Sequence, residues 1–96
     1  MQARTSTWTG TPEALDKWAD HITEKVKPMV AGLPGNAGAY FFIDRANGRA
    51  LTLTLWSTDE SARASDATAD ASRARTIEAT GVELLERGSF EVIDSA

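Results

Sequence analysis

Ninety-six residues, 42% of them hydrophobic and 25% charged, fit one globular domain spanning 1–96 rather than a disordered or fibrous chain. The net charge of −4 opposes a nucleic-acid partner, and the absence of cysteine excludes disulfides, thiolate metal sites and cysteine nucleophiles. No stretch approaches the roughly 20 apolar residues of a membrane helix, and Met1–Thr5 carry no signal-peptide core, so a cytoplasmic location without a membrane partner is expected.

Residues 3–9 are rich in Thr and free of Gly and Pro, and predict a first, polar strand ended by Gly10. Thr11-Pro12-Glu13 is a helix start: a hydroxyl cap, proline at the first helical position and an acid at the positive dipole end. Leu15, Trp18, Ile22, Val26 and Met29 then recur every three or four residues on one side, with Asp16, Asp20 and Glu24 on the other. Those acids read as a solvated face, not a hard-metal site. Pro28 predicts a kink in the last turn, and Gly32-Leu33-Pro34-Gly35 stops the helix.

Residues 37–44 and 49–56 flank Asn47-Gly48, a tight-turn signal, and predict a hairpin. Pairing around that turn puts Tyr40 and Phe42 on one face with Leu51, Leu53 and Leu55, and Phe41 and Ile43 on the other with Thr52, Thr54 and Trp56. Ser57 with Glu60 reads as a capping box opening a second helix over 58–79, closed by Gly81. Its expected inward stripe is Ala64, Ala67, Ala71 and Ala74, and Arg63, Arg73, Arg75, Asp66 and Asp70 are expected on its solvated side. Residues 83–93 predict a last strand, bulged near Gly88.

The element order is that of the ferredoxin-like βαββαβ fold: an α+β domain with a four-stranded antiparallel sheet and two helices on one face. Two helices cover only one face of a hairpin that is apolar on both, so the second face calls for another copy of the chain, a homodimer. Small residues on the second helix imply either close packing, the commoner arrangement, or a cavity bounded by aromatics; Trp8, Trp18 and Trp56 together point partway to a cavity with a few polar groups, while each taken alone reads as core. His21, at the edge of the first helix's stripe, is a candidate general base or a half-exposed bystander. One histidine and no cysteine argue against zinc, and no Gly-rich phosphate loop or Ser/His/Asp arrangement is present.

Leu33-Pro34-Gly35, the hairpin with Asp44 and Asn47-Gly48, and Leu53-Thr54-Leu55-Trp56-Ser57 with Glu60 resemble the antibiotic biosynthesis monooxygenase family of the dimeric α/β barrel superfamily. The resemblance implies a barrel closed across a dimer and a cofactor-independent oxygenase, using neither metal nor flavin, for a small quinol- or anthrone-type aromatic. Trp56 matches the tryptophan such enzymes carry at the end of the third strand. Thr52 stands where quinone-forming members have asparagine, Ala62 where they have a helix tyrosine, and Phe41, beside Tyr40, where they have a strand tyrosine. Ser65 and Arg75 replace the tryptophan and histidine of haem-degrading relatives. On this reading Trp56, Thr52 and His21 are the candidate catalytic residues, and Phe41, Tyr40, Trp18 and Thr54 the candidate substrate contacts. The alternatives are a non-catalytic binding or structural module of the same fold and, given a histidine or acid inside the cavity, an isomerase or decarboxylase.

Overall fold

The computed structural model describes residues 1–96. Its elements are β1 (Gln2–Thr9), α1 (Pro12–His21), a π-helical turn (Ile22–Val26), α2 (Lys27–Ala31), β2 (Asn36–Asp44), β3 (Arg49–Trp56), α3 (Asp59–Thr80) and β4 (Glu83–Glu91). The antiparallel sheet runs β2-β3-β1-β4, the ferredoxin-like order, with the helices on one face. No helix is long and apolar enough to cross a membrane.

The first helix begins as its sequence requires: Thr11 Oγ1 accepts from the Ala14 N–H at 3.1 Å, with Pro12 at the first helical position. Instead of a plain kink at Pro28, the chain widens into the π-helical turn, and the Lys27 N–H reaches back to the Ile22 carbonyl. The proline then sits in the first turn of α2, where its missing N–H costs least. The wider turn also keeps residues four apart on one face, so Val30 rather than Met29 takes the deep position after Val26. The core gathers Leu15, Trp18, Ile22, Val26 and Val30 against Trp8, Ala50 and Val82.

Three sequence expectations are corrected. The capping box of α3 is Thr58 with Ser61: the Thr58 hydroxyl accepts from the Ser61 N–H at 3.0 Å and Ser61 Oγ from the Thr58 N–H at 3.3 Å. Ser57 is occupied elsewhere, its N–H and hydroxyl both donating to the Gly35 carbonyl, at 2.9 and 3.2 Å. In β4 the extra residue is Leu85, between Glu86 opposite Thr7 and Leu84 opposite Trp8, rather than a residue near Gly88; Val92 and Ile93 lie beyond the strand. The alanine stripe Ala64, Ala67, Ala71 and Ala74 is exposed, and α3 turns Ala62, Ser65, Ser72, Thr76 and Thr80 inward. Hydroxyl residues tolerate that position because they bond their own helix: Ser65 Oγ donates to the Ala62 carbonyl at 2.6 Å, Thr76 Oγ1 to Ser72 at 2.9 Å and Thr80 Oγ1 to Thr76 at 2.7 Å.

Strand register divides the hairpin as the sequence predicts. Phe41 pairs with Thr52 and Ile43 with Ala50, while Tyr40 pairs with Leu53 and Phe42 with Leu51. The face away from the helices also receives Phe90 from β4. There Tyr40, Phe42 and Phe90 are 59%, 49% and 57% exposed, and Tyr40 stacks on Phe42 with ring centroids 6.2 Å apart.

Candidate functional site

The inner face of the sheet and the underside of α3 bound a cavity of about 70 Å³. That is about half of the roughly 150 Å³ that holds benzene in an apolar protein interior. The strands contribute Arg4, Ser6 and Trp8 from β1, Phe41 from β2, and Thr52, Thr54 and Trp56 from β3. The roof is Ser65, Ala69, Ser72, Arg73 and Thr76 of α3, and the apolar end is Ile22, Val26, Met29, Val30 and Leu33. Period-two alternation explains the floor: Arg4 pairs with Thr54, Ser6 with Thr52 and Trp8 with Ala50, so all point to the helices.

Next to the apolar end, Gly35 brings the loop before β2 against α3. Its φ of +80° suits glycine, and an added Cβ would stand 2.3 Å from Ser61 Cβ. The left-handed Gly81 (φ +82°) ends α3 at the other end, its N–H donating to the Ile77 carbonyl at 2.9 Å.

Several polar groups of the wall are already engaged. The Trp56 indole N–H donates to Thr54 Oγ1 at 3.0 Å, and Thr54 Oγ1 reaches the Arg4 carbonyl at 3.5 Å. Thr52 Oγ1 lies 3.5 Å from the Ser6 carbonyl, a long bond that a ligand can exchange for its own. The Trp8 indole N–H is buried without a protein partner. Arg4 and Arg73 supply the only charges on the wall, since no Asp, Glu, Lys, His or Tyr lines it. Arg73 therefore does not belong to the solvated face of α3, where its sequence neighbours place it. No three His, Asp or Glu side chains converge in a metal-binding arrangement.

The structure thus brings together Trp56, Thr52, Thr54 and Phe41 of the sequence-predicted residues. It does not bring in the other three. Trp18 is buried in the hydrophobic core, and Tyr40 lies on the opposite face of the sheet. His21 borders an open groove with Lys25, Arg75 and Glu78; Met29 and Ser72 line both groove and cavity and stand between them. Partial burial, followed by the positive charges of Lys25 and Arg75, lowers the His21 pKa from its ordinary 6.5 despite the opposing Glu24.

Sequence reasoning missed Arg4, Ser6, Ser65, Ser72, Arg73 and Thr76. A signal existed for two of them: a strand whose alternate residues read Arg4, Ser6 and Trp8 places charge and hydroxyl on the face bearing its one large aromatic. α3 offered no comparable signal, because alanines are spread around its whole circumference.

No family model matches the chain. It is 31% identical over 65 residues to one uncharacterised Mycobacterium tuberculosis protein and 32% identical over 65 residues to another, in each case across 68% of this chain. The chain spans under a third of the length of those relatives, 29% and 28% respectively. Among solved structures it resembles one assigned as an antibiotic biosynthesis monooxygenase from Deinococcus radiodurans, with a TM-score of 0.81, 12% identity and coverage of 100% of this chain and 96% of that one. It also resembles the monooxygenase ActVA-Orf6 of Streptomyces coelicolor in complex with nanaomycin D, at a TM-score of 0.75, 13% identity and coverage of 99% and 89%. For a mutant form of SnoaB, a cofactor-independent oxygenase of Streptomyces nogalater, the values are 0.73, 13%, and 98% and 94%. The chain has the antibiotic biosynthesis monooxygenase-like fold.

Proposed function

We propose that the chain is a homodimeric, cofactor-independent oxygenase for a small electron-rich aromatic bound beneath α3. The observation that carries this reading is the cavity itself: a partly open space with Trp8, Phe41 and Trp56 on its walls and hydroxyls around them. The fold it shares with a cofactor-independent oxygenase adds support. An electron-rich phenol can supply all the electrons: its ring C–H and O2 become a quinone carbonyl and water, so neither metal nor flavin enters the balance.

In this reading Trp56 and Phe41 hold the ring, and Thr52 exchanges its long bond to Ser6 for one to the substrate oxyanion. Thr54 keeps Trp56 in place through the indole hydrogen bond. Proton transfer out of the cavity then uses the Ser72 hydroxyl, which borders both cavity and groove, as the relay between the substrate hydroxyl and the His21 imidazole. The volume is about half of what holds one benzene ring, so even a single ring requires the flexible Met29 side chain to swing away, and a tricyclic anthrone requires further opening. Oxygen uptake with a one-ring hydroquinone and with dithranol tests the proposal. Uptake above the uncatalysed rate, reduced in Trp56→Phe and Thr52→Ala, is expected; equal rates for all three proteins would refute it.

One observation favours a second reading, a binding module without catalysis: no proton acceptor of ordinary basicity lines the cavity. Saturable binding of the aromatic with no oxygen uptake would select it.

A further inference from the structure

We propose that the cavity recognises a carboxylate on its aromatic ligand, through Arg4 and Arg73. The inference rests on the cavity being a ligand site, as proposed above, and adds the class of ligand.

Charge supplies the first argument. The chain carries −4 overall, yet both charged residues on the cavity wall are positive. Their side chains are only 20% and 19% exposed, so they act through a medium that screens them less than water does. The lining is neutral apart from these two guanidiniums, whose carboxylate partners, Asp66 and Asp70, stand outside it.

Hydrogen-bonding capacity supplies the second. Arg4 spends Nε on Asp66 at 3.3 Å and Nη1 on Ser89, which leaves Nη2 free. Arg73 spends only Nη2, on Asp70. Both acids are more than half exposed and anchor the guanidiniums from outside: Asp66 at 51% and Asp70 at 57%. They sit one turn apart on α3, about 6 Å along its axis. The remaining N–H groups of the two arginines give a surplus of donors, and no charged acceptor lines the wall. A carboxylate is the planar, acceptor-only group that fits such a set, and arginine binds it in a fork. Arg4 pairs with Thr54, two residues from Trp56 on the adjacent strand and the same face, so the acid group and the ring would lie side by side at one end of the cavity.

Calorimetric titration of the full chain with salicylate and with its neutral amide, salicylamide, tests this. The two share ring and hydroxyl and differ in the charged group alone. Salicylate is expected to bind about tenfold or more tightly, the scale of a charge-assisted pair. Arg73→Gln should remove most of that preference, bringing the two affinities within about threefold of each other. Arg4 also ties β1 to β4 and α3, so Arg4→Gln carries a folding risk; Asp70→Asn provides a second probe. It releases Arg73 and should tighten salicylate binding, which a purely structural role for the ion pair would not do. Equal affinity for the two probes, or a preference that survives Arg73→Gln, overturns the carboxylate inference and leaves the pocket standing. Binding of neither probe overturns both. Selective salicylate binding without oxygen uptake upholds the inference and removes only the oxygenase chemistry.

Discussion

Replacing Phe42 by lysine tests the proposed dimer where its driving force is concentrated. The outer sheet face is about 26 by 19 Å, from eight residues per strand and four strands, a footprint of roughly 500 Å² per partner that lies at the small end of specific interfaces. Phe42 is 49% exposed there. Taking about 200 Å² for an aromatic side chain, a partner would remove about 100 Å² of it from water, or roughly 2.5 kcal/mol. A two-fold interface counts that loss twice, about 5 kcal/mol, so Phe42→Lys should weaken the dimer by roughly three to four orders of magnitude. Sedimentation velocity across a dilution series reads this directly. Ile77→Lys is the control, since Ile77 is 40% exposed on α3, away from that face, and should leave association unchanged. A wild-type protein that sediments as a monomer throughout, or a Phe42→Lys variant that dimerises like wild type, would refute the argument.

Three further outcomes are expected. Gly35→Ala should cost at least about 2 kcal/mol, because it combines a left-handed φ with a Cβ pressed on Ser61; the melting temperature should drop by roughly 10 °C, whereas Gly32→Ala, with 3.7 Å of clearance at a helical φ, should be harmless. Thr58→Ala should cost about 1 kcal/mol in urea unfolding by removing the cap of α3, while Ser57→Ala leaves that cap intact. His21 has a lowered pKa in the folded state, so the unfolded chain binds its proton first as pH falls. Its contribution is complete above the unfolded value near 6.5 and is lost as pH drops through the folded pKa. The urea midpoint should therefore fall on acidification through that window, and His21→Gln should flatten this part of the profile.

Much of the fold was legible because it is written in short-range signals. Thr11-Pro12 set the start of α1, Asn47-Gly48 set the hairpin register, and period-two alternation placed Phe41, Thr52, Thr54 and Trp56 under the helices. The same alternation put Tyr40 on the opposite face, so its adjacency in sequence to Phe41 gave it no share in the cavity. The candidate site was half legible for the same reason: strand residues follow from register, which a turn fixes locally.

Chain order, element type and the two-faced hairpin are thus properties of the sequence by itself, since each depends on neighbours a few residues apart. The rotation of α3 about its axis was decided only in three dimensions. Its alanines cover every side, so no apolar periodicity favours one stripe, and the turn at Thr58 and the Gly35–Ser61 approach set its phase instead. That rotation exposes Ala64, Ala67, Ala71 and Ala74 and carries Ser65, Ser72 and Thr76 inward. It also brings Arg73, from the second half of the chain's longest helix, onto the same cavity wall as Arg4 of the first strand. A pair 69 positions apart in sequence meets only when sheet and helix are packed, which is why the charge of the cavity belongs to the tertiary structure.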